Sequence, residues 1–77
     1  MTVENPDHYT RLAIPTGEYV MRNDMEFWRG NVIKYVSRAG YKAKADMSMM
    51  ESEREDLVKA RRYIEMRLNM LDGKPEL

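Results

Sequence analysis

The stretch GNVIKYVSRAGYKAK, residues 30–44, contains four basic side chains and no acidic one. Its first part has a helical pattern, because apolar residues recur there at intervals of three and four. Gly40 then interrupts the pattern, and glycine is the residue that most often ends a helix in the left-handed conformation. The sequence therefore predicts a helix that stops at Gly40 and a basic loop that follows it.

The segments on either side of this stretch predict an all-α fold with one domain over residues 1–77. The predicted elements are an N-terminal arm at 1–14, a short helix at 15–23, a helix at 24–39 and a long helix at 48–71. Asn23 or Asp24 can cap the second helix, and Asp46 or Ser48 can cap the third. A loop of only eight residues makes the last two helices an antiparallel hairpin.

The long helix has an apolar stripe that we expect to face the core. At helical spacing the stripe consists of Met50, Leu57, Ala60, Ile64, Leu68 and Leu71. A helix of about 24 residues spans roughly 36 Å, whereas a compact chain of this length has a radius of gyration of about 11–12 Å. The far end of the helix should therefore project beyond its own core, and eight methionines favour adaptable helical interfaces. We expect a homo-oligomer.

The composition excludes several classes of protein. With no cysteine and one histidine, the chain has neither a disulfide framework nor a Cys/His zinc site. The 13 basic and 13 acidic residues balance, which argues against nucleic-acid binding. There is no GxxxxGK[ST] loop, so a conventional P-loop kinase is excluded. No apolar run is long enough to cross a membrane, and we expect a cytoplasmic protein.

A second stripe, which is largely polar, runs beside the apolar stripe on each of the last two helices. In the hairpin, the expected neighbours are Arg38 with Ser52, Lys34 with Asp56, Asn31 with Lys59, and Phe27 with Tyr63. This places aromatic rings at one end of a groove and basic groups, with Lys42 in the loop, at the other. Such an arrangement suits a nucleotide, whose base stacks on a ring and whose phosphate binds Lys or Arg.

The same residues also allow simpler interpretations. Lys34 and Asp56 could form an ordinary interhelical ion pair, and Phe27 and Tyr63 could be core residues. Glu51 and Glu55 lie one turn apart and are secondary candidates for a Mg²⁺ site, although acidic residues are also favoured at the start of a helix. His8 and Tyr9 are candidate ligand contacts in the N-terminal arm. No catalytic residue can be assigned.

Three separated segments resemble a known family. NPDHY at residues 5–9, GNVIKYVSRAGYK at 30–42 and EDLVKARRYI at 55–64 are similar to motifs of the phage-associated domain of unknown function 3310. A similar domain occurs in a phage nucleotide kinase that lacks a P-loop. The resemblance marks the following residues: His8, Tyr9, Asn31, Lys34, Tyr35, Arg38, Lys42, Glu55, Asp56, Lys59 and Tyr63.

The groove and the resemblance together predict a small phage-type protein that binds a nucleotide or a nucleotide-derived phosphate ligand. In a phage-infected cell it could sequester that ligand as a counter-defence. One alternative is an enzyme of nucleotide metabolism, kinase-like or hydrolytic, with Mg²⁺ as a possible cofactor. Another is an inhibitor that binds a host protein through its charged helices.

Overall fold

The computed structural model describes residues 11–77, and within that range the chain forms three helices and no strand. They are α1 at Thr16–Arg22, α2 at Phe27–Arg38 and α3 at Met49–Leu71. The predicted all-α class is confirmed. Residues 1–10, which include most of the predicted N-terminal arm, lie outside the described residues.

The connection between α1 and α2 differs from the prediction because Asp24 belongs to the end of α1. Asp24 has a left-handed backbone with φ 50°. Its N–H donates to Met21 O at 3.2 Å, and the Met25 N–H donates to Val20 O at 3.1 Å. These two bonds form a Schellman motif, which satisfies the last carbonyls of α1. Consequently α2 begins only at Phe27, and no side chain caps its N-terminus.

Both ends of α3 have local sequence signals that explain them. The Ser48 hydroxyl accepts a hydrogen bond from the Glu51 N–H at 3.0 Å, so Ser48 and not Asp46 is the N-cap. At the other end, Gly73 takes φ 70°, and the Lys74 N–H donates to Asn69 O at 2.9 Å. This second Schellman motif requires a left-handed residue, and glycine adopts that conformation without steric cost.

Helices α2 and α3 pack side by side in opposite directions. Phe27 at the start of α2 contacts Tyr63 late in α3, with ring centroids 5.8 Å apart. Arg38 at the end of α2 bonds Asp56, which lies nearer the start of α3. The hairpin leaves the last two turns of α3 beyond the start of α2, because α3 has 23 residues and α2 has 12.

The shape reflects this unequal length. The radius of gyration is 14.3 Å and the longest dimension is 43 Å, whereas a compact chain of 77 residues has a radius of about 11–12 Å. Among residues 11–77, none of the helices combines the length and the apolar character that a membrane span needs.

The face of α3 that packs against α2 is the polar stripe and not the apolar one. Within the described part of the chain, the buried residues are Thr16, Ser52, Asp56 and Ala60. Of the six residues that the sequence assigns to the core stripe of α3, only Ala60 is buried. The other five, from Met50 to Leu71, are between 42% and 79% exposed. The predicted core stripe of α3 is therefore wrong for the isolated chain.

Helix α1 packs against α2 at Gly30, where the absence of a side chain accommodates Val20. A Cβ atom placed on Gly30 would lie 2.8 Å from Val20 Cγ1, which is closer than such atoms approach one another. The valine side chain is short and stiff, so it cannot simply move aside. Gly30 thus sets the distance between these two helices.

Replacing Gly30 by alanine should destabilise the protein by about 1 kcal/mol or more, since overpacking costs more than the gain in helix propensity. Gly17→Ala is the matched control, because nothing lies within 4 Å of a Cβ at that position. It should leave the free energy of unfolding unchanged or raise it by up to about 1 kcal/mol. Urea denaturation followed by circular dichroism measures both variants. Equal effects would contradict the close approach at Gly30.

Candidate functional site

The centre of the α2–α3 interface is a buried carboxylate with two basic partners. Asp56 has no solvent-exposed side-chain surface. Arg38 Nη2 donates to Asp56 Oδ1 at 2.7 Å, and Arg38 Nε lies 3.3 Å from Oδ2. Lys44 Nζ donates to the same Oδ1 at 3.0 Å. The two-point contact with the guanidinium fixes the orientation of both side chains.

Lys44 fastens the loop between α2 and α3 to the start of α3. Its backbone N–H donates to Ser52 Oγ at 2.8 Å, and its ammonium group donates to Glu55 Oε1 at 2.7 Å. Glu55 Oε1 also lies 3.2 Å from Lys59 Nζ. The basic loop expected from the sequence is therefore held by acidic side chains of α3, and Lys44 has a central position that the sequence analysis did not assign to it.

These contacts shift the protonation of the groups involved. Burial alone would raise the pKa of Asp56, but the hydrogen bonds and charges of Arg38 and Lys44 lower that pKa by more. The hydrogen bond with Lys44 is the main reason why the pKa of Glu55 is lowered, and Lys59 adds to it. The hydrogen bond to Glu55 in turn raises the pKa of Lys44. All three groups are charged at neutral pH.

Three aromatic rings form a row next to this charged cluster. Tyr63 is stacked with Tyr35 at 6.1 Å, with an angle of 13° between the rings, and meets Phe27 edge to face. Basic groups surround the Tyr35 ring, with Lys34 Nζ at 5.4 Å and Lys59 Nζ at 5.5 Å from its centroid. The carbon Cζ of Arg38 lies at 5.0 Å. Rings and cations are thus interleaved, in the arrangement of cation–π contacts.

An open groove of about 1080 Å³ lies between α1 and α2, whereas the groove predicted from the sequence lay between the last two helices. Phe27, Asn31 and Lys34 line its α2 side, at positions that fall on one stripe of the helix. The Asn31 side-chain amide donates to Phe27 O at 2.8 Å, which orients it along the helix. Much of the remaining lining is apolar and includes Val20 and Met25, and the charged residues Glu18, Arg22 and Glu26 also line the groove. The groove is large enough for a ligand of nucleotide size.

The expected pairing of Lys34 with Asp56 is replaced by the pairing of Arg38 with Asp56. Arginine is long enough to reach one turn further along α3, and Lys44 completes the coordination from the loop. Lys34 is exposed, and it forms no ion pair with any residue between 11 and 77. Lys42 is half-buried, and it too forms no ion pair in the described part of the chain. The structure therefore separates a buried ion pair from lysines that have no ion-pair partner among residues 11–77.

Some of the predicted site residues are in contact in the structure, and others are not. Phe27 with Tyr63 forms the aromatic end, and Arg38 with Asp56 forms the charged end. Glu55 is engaged by two lysines, and no group of three acidic or histidine side chains in residues 11–77 has the arrangement of a metal site. His8 and Tyr9 lie outside the described residues.

Comparison with protein families gives one match. A family described as a protein of unknown function, DUF3310, matches residues 3–65, which is most of the chain. The chain belongs to the DUF3310 family. No curated protein and no solved structure matches it. In this DUF3310 chain the matched region contains all of the predicted site residues and ends just after Tyr63, so the last two turns of α3 lie outside it.

Replacing Arg38 by methionine should lower the free energy of unfolding by about 3 kcal/mol, because it leaves the buried Asp56 carboxylate with Lys44 alone. Thermal denaturation should show a decrease in Tm of about 10 °C or more. Arg62→Met is the matched control, since Arg62 is 53% exposed and lies 3.9 Å from Glu65. It should have an effect below about 0.5 kcal/mol. Similar losses in both variants would contradict the role of the buried pair.

The lowered pKa of Asp56 predicts acid sensitivity. Because the folded-state pKa lies below the unfolded value of about 3.9, the stabilisation is fully present above pH 4 and is lost as pH falls through the folded value. The difference in unfolding free energy between the wild type and Asp56→Asn should therefore shrink as the pH falls below about 4. Urea titrations at several pH values measure it. A constant difference would show that ionisation of Asp56 does not contribute.

Proposed function

We propose that this chain binds a nucleotide or a nucleotide-derived phosphate ligand, with the base against Phe27 and the phosphate at Lys34. The observation that carries the proposal is the position of Lys34. It is an exposed cation without an ion-pair partner among residues 11–77, and it lines a groove that also contains apolar side chains such as Val20 and Met25. A ligand with an apolar ring and an anionic end fits that combination.

The spacing along α2 supports the same assignment. Phe27 and Lys34 are seven residues apart, or about 10 Å at 1.5 Å per residue, and they lie on the same side of the helix. This is comparable to the distance between the base and the terminal phosphates of an extended nucleotide. Asn31 lies between them, and its side-chain oxygen is an acceptor for a base or sugar hydroxyl.

The local charge supports binding of an anion even though the whole chain is neutral. Six basic residues lie around the end of α2 against three acidic ones, which leaves an excess of three positive charges: Arg11, Lys34, Arg38, Lys42, Lys44 and Lys59 against Glu53, Glu55 and Asp56. The C-terminal end of α2 repels anions through its dipole, so the attraction comes from the side chains. Arg38 is paired with the buried Asp56, so Lys34 is the cation that contacts the groove.

The biological setting that we propose is sequestration of such a ligand by a phage protein in the host cytoplasm, as a counter-defence. Membership of the DUF3310 family is compatible with this setting. We also propose that the chain acts as a homo-oligomer. Retention of the ligand through gentle purification, detected by native mass spectrometry, is the direct test of sequestration.

Titration calorimetry with a panel of nucleoside mono-, di- and triphosphates and cyclic dinucleotides tests the site. Lys34→Ala should weaken binding of the best ligand by about tenfold or more, and Phe27→Ala should do the same through the base. Lys74→Ala is the matched control, because Lys74 is an exposed lysine beyond the end of α3. It should leave the affinity unchanged. Absence of binding by the whole panel, or equal effects at Lys34 and Lys74, would refute the proposal.

A kinase-like or hydrolytic enzyme is less well supported by the geometry. That alternative needs Glu55 or Asp56 to hold Mg²⁺ or to orient a nucleophile, whereas both carboxylates are bonded to lysine or arginine. Phosphate release or phosphoryl transfer in the presence of Mg²⁺ by the purified protein, lost in Lys34→Ala, would favour the enzyme over a binding module.

A further inference from the structure

The positive charge of Lys59 on α3 is only partly balanced by its carboxylate partner. Lys59 Nζ lies 3.2 Å from Glu55 Oε1, but the same oxygen accepts a shorter hydrogen bond of 2.7 Å from Lys44. Lys44 lowers the pKa of Glu55 most, and Lys59 comes second. One carboxylate carries one negative charge, so it cannot neutralise two ammonium groups.

The neighbouring carboxylate does not supply the missing charge to Lys59. Asp56 is buried and is paired with Arg38 through two hydrogen bonds, with Lys44 as its other partner. When Arg38 is matched with Asp56 and Lys44 with Glu55, the charge of Lys59 remains. Because 42% of the Lys59 side chain is exposed, this charge is accessible to an anion in solution.

Lys59 and Lys34 approach each other at the Tyr35 ring, one from α3 and the other from α2. Both ammonium nitrogens lie about 5.5 Å from the same ring centroid, so they are at most about 11 Å apart. Each ammonium group ends a flexible four-carbon stem and has three donors. Modest rotation of the two stems therefore brings both lysines to one phosphate group or to two linked phosphates.

We propose that Lys34 and Lys59 together bind a terminal phosphate, so that the ligand is a linear nucleotide and not a cyclic nucleotide or a cyclic dinucleotide. This inference rests on the proposed nucleotide site and names its ligand class. A terminal phosphate carries between about 1.5 and 2 negative charges at pH 7, whereas a phosphodiester carries one. Two lysines match the terminal phosphate. On binding, Lys59 exchanges Glu55 for the phosphate, and Glu55 keeps Lys44.

The acidic residues that line the groove do not cancel this charge. Glu18 is bonded to Arg22 at 2.8 Å, and Glu26 is bonded to Arg29 at 2.9 Å. Each of these carboxylates thus has an arginine of its own within one turn of chain. The charge of Lys34 is therefore not opposed by an unpaired acid on the α1 side of the groove.

The row of aromatic rings connects the phosphate end with the base end. Tyr63 contacts Phe27 on one side and Tyr35 on the other, with centroid distances of 5.8 Å and 6.1 Å. The two lysines at Tyr35 thus lie one ring beyond the position proposed for the base. A terminal phosphate is attached at the far end of a linear nucleotide from its base, which agrees with this order.

The first test uses the wild-type chain and needs no variant. Titration calorimetry compares the 5′-monophosphate with the 3′,5′-cyclic monophosphate of the same nucleoside, for each of the four common bases. The linear compound should bind about tenfold more tightly or better, since it gains a charge-assisted hydrogen bond. Equal affinity, or tighter binding of the cyclic compound, would overturn this inference and leave the proposed function standing. Absence of binding by every nucleotide would refute the proposed function itself.

The second test removes the charge of Lys59. Lys59→Gln should weaken binding of the linear monophosphate about tenfold and abolish its advantage over the cyclic one. Arg61→Gln is the matched control, because it removes the same charge from the other side of α3, where Arg61 is 68% exposed. It should leave the preference unchanged. Circular dichroism should show the helix content of the wild type in both variants. A preference that survives Lys59→Gln, or equal losses in both variants, would overturn the inference.

Discussion

The arrangement of the helices depends on the contact between the Asp56 carboxylate and two cations from different parts of the chain. Arg38 comes from the end of α2 and Lys44 from the loop. A buried carboxylate without partners would cost several kcal/mol, so loss of either cation destabilises the hairpin. Because Ser52 also accepts a hydrogen bond from the Lys44 backbone, the loop is held on α3 at a second point. The register of α2 against α3 follows from these bonds.

The same contact gives the basic residues two different roles. Arg38 and Lys44 are neutralised by acidic partners, while Lys34 and Lys42 have no ion-pair partner among residues 11–77. The basic residues of this stretch therefore include an ion network that holds the fold and, in Lys34, an exposed cation that lines the groove. Of these two, only the latter has charge left for an external anion, which is why Lys34 and not Arg38 is the decisive residue in the proposed site.

Sequence patterns predicted the helices well because their end signals are local. Ser48 before α3 and Gly73 after it act within one turn, and Ser48 is one of the two caps expected for this helix. Asp24 was harder to interpret, because the same residue type caps the start of one helix or ends another in the left-handed conformation. The pairing of Arg38 with Asp56 depends on the reach of a long side chain and on loop closure, which periodicity does not encode. The packed face of α3 was not predicted, because hydrophobicity alone assigned the apolar stripe of α3 to the core.

Burial of polar groups at the α2–α3 contact has a thermodynamic consequence. Exposure of apolar surface raises the heat capacity on unfolding, and exposure of polar surface lowers it. Since Ser52 and Asp56 are buried and Ala60 is the one buried apolar residue among those described, a single chain should have a small heat-capacity change for its length. Its stability curve would then be broad and shallow, changing little between refrigeration and body temperature.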